Sequence, residues 1–230
     1  REIMTHSAGF TYGVFGNTYV DSLYRDADIL NYHATLKEMA ISLSEIPLLY
    51  QPGKDYHYSI SVDVQSYLVE VLSGMSFRDF LQERLFTPLK MVDIDFWVPE
   101  EKMERFAEVY DRKKGEGLKL STEVVGLDPN VFKDPVTFYS GGAGLVSTTM
   151  DYMRFCQMLL NGGELDGVRI LAPRTVDLMS MNQLPDGVKG PEGYDFGIDF
   201  AVVKDGENGN SIGAYYWGGM AGTWFPCVST

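Results

Sequence analysis

The stretch from Gln51 to Gly74 restricts the fold more than any other, because a turn signal, a cap signal, an apolar helix and a stop signal follow one another in it without a gap. Pro52-Gly53 marks a reversal: proline presets φ at the first central turn position and glycine accepts the positive φ that a type II turn needs at the second. Ser59 or Ser61 is then placed to cap a helix in which Val62, Val64, Leu68, Val69, Val71 and Leu72 recur near helical spacing, until Gly74 stops it. Tyr58 falls between turn and helix, on backbone held from both sides. The chain has 14 tyrosines, so position alone does not separate Tyr58 from half-buried packing tyrosines.

With 230 residues, 45% of them hydrophobic, the chain can bury a sizeable core as one large domain or two small ones. The formal net charge of -13 argues against a nucleic-acid partner or an anionic membrane surface, since both demand a basic face. No apolar run is long enough to span a bilayer, and the first residues show no basic segment followed by an apolar one, so neither a membrane partner nor an export signal is expected here. Cys156 and Cys227 have no metal-ligand spacing and make no disulfide framework. The three histidines, His6, His33 and His57, show no pairing suited to a metal, so neither metal nor cofactor is expected. His6, beside Thr5, Ser7 and Gly9, reads as a residue satisfying backbone groups in a tight turn.

Helical spacing recurs along most of the chain. Leu36, Met39, Ala40 and Leu43 mark a helix within 34–43. Ser76-Phe-Arg-Asp79 has the form of a capping box opening a helix with Phe77, Phe80, Leu81 and Leu85 on one face and Pro88 at its end. Residues from Pro99 to about Pro135 are charged and poorly periodic, and read as a surface connection whose basic triplet Arg112-Lys113-Lys114 is a solvated loop. Thr148-x-x-Asp151 caps a helix carrying Met153, Phe155, Met158, Leu159 and Leu160, and Ala172-Pro173 opens a short helix through Met179. Beyond Gly193 the period shortens: Tyr194 to Val203 reads as one half-buried strand, 205–210 as a turn, and Ile212 to Trp217 as the antiparallel partner.

The glycine cluster Tyr139-Ser-Gly-Gly-Ala-Gly-Leu-Val-Ser-Thr148 precedes a helix, a context that can cradle phosphate. No lysine follows its last glycine, and it has neither the spacing nor the strand of a dinucleotide fingerprint. Its glycines are better suited to letting the chain pass close under packed elements.

Several of these runs together resemble one family. Pro52-Gly53, Tyr56, Tyr58-Ser59 and a helix ending in Ser-Gly resemble the second motif of the serine hydrolases related to class C β-lactamases, penicillin-binding proteins and the esterases that share their fold. The opening Arg1 to Phe10, the Pro88-Leu-Lys-Met91 run with Lys90 where glycine is usual, and the Gly-Gly-Ala-Gly-Leu-Val-Ser-Thr run resemble further stretches of that family. Trp217-Gly218-Gly219-Met220 resembles its third motif, in the form common in the esterase branch, where other relatives carry lysine or histidine first.

The resemblance implies an α+β, β-lactamase/transpeptidase-like fold, present as an incomplete domain that is mainly helical over 1–190 and contributes strands of the antiparallel sheet over 191–230. It implies that Tyr58 belongs to the proton-transfer machinery, with Ser59 and Ile60 as its motif neighbours. Trp217, Gly218, Gly219 and the backbone N–H of Met220 line the substrate side and supply half of an oxyanion hole. The family's nucleophile sits in a Ser-x-x-Lys turn, where the spacing puts both groups on one helix face, and its lysine favours a phenolate that a free tyrosine, with pKa of about 10, would not form near neutrality. No Ser-x-x-Lys occurs in these 230 residues; Ser22-Leu-Tyr-Arg25 comes nearest, and its arginine cannot give up a proton. The chain is therefore expected to be an internal fragment of a hydrolase that acts on a small ester, amide or lactam through an acyl-enzyme, most simply an esterase. D-alanyl peptidase or β-lactamase activity, or a non-catalytic binding or assembly module, are the alternatives. Ile60 stands where the lactamase branch commonly has an asparagine that contacts lysine and substrate amide, and Trp217 replaces a cation, so short acyl esters are the expected substrates.

Overall fold

The computed structural model describes residues 1–113, 115, 117–123, 128–191, 194–204, 212–219 and 221–227. Helices α1 (Tyr19–Asp26), α2 (Leu36–Ser44), α3 (Ser61–Ser73) and α4 (Phe77–Leu81) come first. Thr18 and Asp21 form a complete capping box at α1, a short helix that the sequence reading did not mark, and Thr35 and Glu38 do the same at α2. Tyr24, Leu36, Met39, Leu43, Ile60 and Phe138 bury one face of this helical region in a common cluster.

The start of α3 differs from expectation. Its N-cap is Ile60 and no side chain caps it. The two serines proposed for that task bond to each other instead, Ser59 Oγ to Ser61 Oγ at 2.9 Å, and both are buried. The far end is as expected: Gly74 closes the helix at φ 71° with nothing near a would-be Cβ, so the left-handed backbone, rather than crowding, selects glycine.

Ser76 Oγ accepts from the Asp79 amide and opens α4, which passes into a π-helical turn over Gln82–Phe86 before Pro88. Lys90, in the glycine position of the family pattern, has φ 55°. Arg78 bonds Asp95 through both Nε and Nη2, each at 2.6 Å, and lies over the Trp97 ring. Asp95 in turn bridges to Val146 through paired backbone bonds, tying α4 to the segment after the glycine run.

The segment from Pro99 to Pro135 is more regular than its charge pattern suggests. A 3-10 helix spans Glu100–Arg105, and strands β1 (Tyr110–Lys113) and β2 (Gly117–Leu120) form an antiparallel hairpin. Its outward side chains, among them Leu118 and Leu120, hide the alternation that would have marked it. Next come α5 (Thr149–Leu160), capped by Thr148, the two-residue strands β3 (Glu164–Leu165) and β4 (Val168–Arg169), and α6 (Pro173–Met179).

Among the described residues a four-stranded antiparallel sheet follows, in order β5 (Asp195–Phe196), β6 (Ala201–Val202), β7 (Tyr215–Gly218) and β8 (Trp224–Cys227). The single strand expected over Tyr194 to Val203 is thus two short strands paired to each other. The chain has to reverse at Gly197, where a Cβ would stand 2.0 Å from the Met179 carbonyl oxygen at the end of α6. Asp199, at φ 58°, completes the reversal. The turn expected at 205–210 lies outside the described residues. Phe86, Leu89, Met158, Leu159, Phe200, Val202 and Tyr215 form the core between α5 and the sheet.

Candidate active site

Tyr58 is held by the backbone on either side of it. The His57 N–H donates to the His6 carbonyl at 2.8 Å, and the Ser59 N–H donates to His6 Nδ1 at 3.2 Å. His6 itself is buried and left-handed at φ 51°. Burial first, and the neighbouring His57 second, push its pKa down to about 3, which keeps Nδ1 free to accept. His6 thus does serve backbone groups, as its surroundings in sequence suggest. Two further bonds, Gly53 N–H to Ser7 O and Ile60 N–H to Thr11 O, lay the first dozen residues along the segment that carries Tyr58.

The half-buried Tyr58 ring lies in an aromatic nest, with ring centroids at 4.8 Å from His6, 5.1 Å from Tyr12, 5.9 Å from Phe15 and 5.3 Å from Trp217. It lines a cleft of about 1950 Å³ together with Tyr12, Trp217, Gly218, Gly219 and the glycine run. The structure therefore brings Tyr58 and the Trp217–Gly219 strand together from opposite ends of the sequence. Strand β6 pairs with Tyr215 and Tyr216 only, so it does not cover the Trp217–Gly218 edge. Gly218 and Gly219 differ in what they allow. A side chain at Gly218 would meet nothing closer than 4.0 Å, whereas at Gly219 a Cβ would fall 1.9 Å from Thr223 Oγ1. A side chain at Gly219 would thus require the Thr223 hydroxyl to turn away, and the turn there is closed by the Gly219 N–H to the Thr223 carbonyl at 2.7 Å. Met220 lies outside the described residues.

Two motif neighbours are placed elsewhere. Ser59 is buried against His6 and Ser61, and Ile60, fully buried, packs with Tyr24, Leu36 and Phe138. Ile60 does not line the cleft, because its side chain continues the helical core on the far side of the chain from Tyr58. Ser22 and Arg25 build no nucleophile pair: Ser22 Oγ donates to Tyr19 O, and Arg25 donates to the Gly13 and Gly16 carbonyls.

Tyr12 is a site residue that sequence reasoning missed. Its phenol is pushed above its ordinary pKa by burial, then by the charge of Asp63, then by Tyr58. Asp63, in the first turn of α3, accepts from Ser140 Oγ at 2.6 Å and from the Gly142 N–H at 3.3 Å. The glycine run can come this close only without side chains: a Cβ at Gly141 would lie 2.0 Å from Ser66 Oγ. Nothing in the sequence marks the pair beyond an acid in the first turn of a helix, because the glycine run that Asp63 engages lies 77 or more positions away. No group of three or more His, Cys, Asp or Glu suited to a metal occurs among the described residues, and no helix among them is long and apolar enough to cross a membrane.

A helical region set against a small antiparallel sheet, with a tyrosine at their junction facing a Trp-Gly-Gly strand, defines the β-lactamase/transpeptidase-like class. The chain belongs to the beta-lactamase family, whose model matches residues 1–226. Protein Rv1367c of Mycobacterium tuberculosis is 31% identical over 98% of the chain and 58% of its own length, and Esterase EstB of Burkholderia gladioli is 28% identical over 98% and 60%. Among solved structures, EstCE1, described as a hydrolase with promiscuous acyltransferase activity, superposes with a TM-score of 0.81 at 24% identity, covering 98% of this chain and 62% of that one. The chain spans about three-fifths of the length of these relatives.

Proposed function

We propose that the protein containing this chain is a serine hydrolase that works through an acyl-enzyme on short acyl esters, with Tyr58 as its acid–base group. The contact of the Tyr58 ring with Trp217 at the edge of the cleft carries this reading. It sets a phenol beside the Trp217–Gly218 strand edge, and the family resemblance assigns the backbone N–H of Met220 to the oxyanion hole that would receive the developing charge. This mechanism requires a Ser-x-x-Lys turn to supply the nucleophile and its lysine, and these 230 residues contain none. Tyr12, Phe15 and Trp217 give the cleft an aromatic wall beside Tyr58, and Trp217 stands where other relatives carry a cation that would pair with the carboxylate common to β-lactams, which favours esters over lactams and D-alanyl peptides. Likeness to Esterase EstB supports the same choice.

Tyr58→Phe in the full-length protein tests the assignment. The phenol oxygen is lost while the ring and its neighbours remain, so turnover should fall about a hundredfold or more with the melting temperature little changed. A loss of less than about threefold at unchanged stability would return Tyr58 to the packing tyrosines.

A further inference from the structure

Asp63 is 1% exposed, and only one of its oxygens has an evident task. Oδ1 accepts from Ser140 and Gly142 and so pins the glycine run to α3; a first-turn acid also suits the positive end of a helix. An asparagine would make the same two bonds without a charge. Oδ2 is buried and has no hydrogen-bond partner among the described residues, an arrangement that costs stability unless something else is gained. Burial holds the carboxyl above its ordinary range against the opposing donors of Ser140, Gly142 and Gly141, and no cation is among these influences.

The direction of Oδ2 is shown by Gly142. A methyl group there would lie 2.9 Å from Oδ2 and 2.6 Å from the Tyr12 hydroxyl, so both atoms border the same small space. A single bridging water, or a small rotation of the carboxyl, would suffice to join them. Tyr12 packs on Tyr58 on its other side. The geometry points to Asp63 as a positioning residue for the acid–base phenol: its second oxygen fixes the Tyr12 hydroxyl, and Tyr12 fixes the orientation of Tyr58. Gly142 is glycine so that nothing separates the two groups. This rests on the role proposed for Tyr58 above.

The test uses the full-length protein. Asp63→Asn preserves shape and the Ser140 and Gly142 bonds. It should lower kcat about ten- to a hundredfold, as misplacement of a catalytic group does, with KM changed by less than about threefold. In a Tyr12→Phe background the same substitution should cost almost nothing more, because the link is already cut. Losses that simply multiply would overturn the inference. If Asp63→Asn does not fold, Gly142→Ala, which keeps the carboxylate and inserts a methyl between it and Tyr12, takes its place in the cycle with the same expected and refuting results. A readout independent of turnover is NMR of [13Cζ]tyrosine-labelled protein. Asp63→Asn should move the Tyr12 and Tyr58 signals, assigned by their Phe variants, and leave those of Tyr152 and Tyr194 in place. An unmoved Tyr12 signal would overturn the inference whatever the activity, whereas full activity in Tyr58→Phe would instead remove the acid–base reading.

Discussion

Asp199→Asn should stabilise the protein, and increasingly so as the pH rises from about 4 to about 7. Asp199 sits in the reversal between β5 and β6 with Gln65 Nε2 on its carboxylate at 3.1 Å, and burial, offset in part by that bond, raises its pKa to about 7. The sign follows from proton counting. Between its ordinary value and about 7 the folded protein keeps a proton that the unfolded chain has released, so stability present at low pH is lost as the pH climbs. At about 1.4 kcal/mol per pKa unit the cost at pH 8 is at most about 4 kcal/mol. The side chain keeps some solvent access, which reduces the expected figure to about 2 kcal/mol. Asparagine avoids the cost, still accepts from Gln65, and tolerates the φ of 58° better than most residues. Thermal melts of both proteins at pH 5 and pH 8 decide it: part of the cost is already present at pH 5, so the variant's advantage should be larger at pH 8 by about 2–5 °C. An equal advantage at both pH values would refute the ionisation argument and leave only the backbone effect.

Lys90→Gly should raise stability by about 0.5–1 kcal/mol, since relief of a left-handed non-glycine residue outweighs the added freedom of the unfolded chain; the exposed Lys90–Asp166 contact at 3.9 Å contributes little to offset it. A lower denaturation midpoint in urea would contradict this. The 230-residue chain, incubated with a fluorophosphonate or penicillin probe, should show no adduct by intact mass, and a stoichiometric serine adduct would show that it holds its own nucleophile. The full-length protein should have a higher kcat/KM on p-nitrophenyl acetate or butyrate than on nitrocefin; equal or better efficiency on nitrocefin would defeat the esterase reading.

What the sequence announced and what it concealed divide along physical lines. Caps that depend on near neighbours were legible: Ser76 with Asp79, Thr148 with Asp151, and proline at the start of α6 all act where the pattern put them. The capping box at Thr18 carries the same signal, and Val20, Leu23 and Tyr24 keep helical spacing after it, but the helix is only eight residues long and mostly polar, and it passed unseen. Ser59 and Ser61 misled because a residue 53 positions away, His6, engages Ser59, which in turn holds Ser61. The alternation across Tyr194 to Val203 was real, but Gly197 has to pass the end of α6, a constraint that no local pattern records. Tyr58 and the Trp-Gly-Gly strand could be named through resemblance. Tyr12 and Asp63 could not, since their pairing exists only once the glycine run is folded over α3.

The hold of His6 on Tyr58 has a consequence for reading mutational scans. One imidazole nitrogen and one carbonyl of the same residue grip the amides immediately before and after the phenol-bearing position. Losing the ring nitrogen releases one side of that grip, so variants at His6 should score among the severely inactive ones while exchanging no proton with any substrate. A histidine that fails beside a hydrolase tyrosine invites the label of general base. Here the label would be mistaken: the residue is a clamp, and its signature would be lost alignment at Tyr58, with no new ionisation in the rate profile.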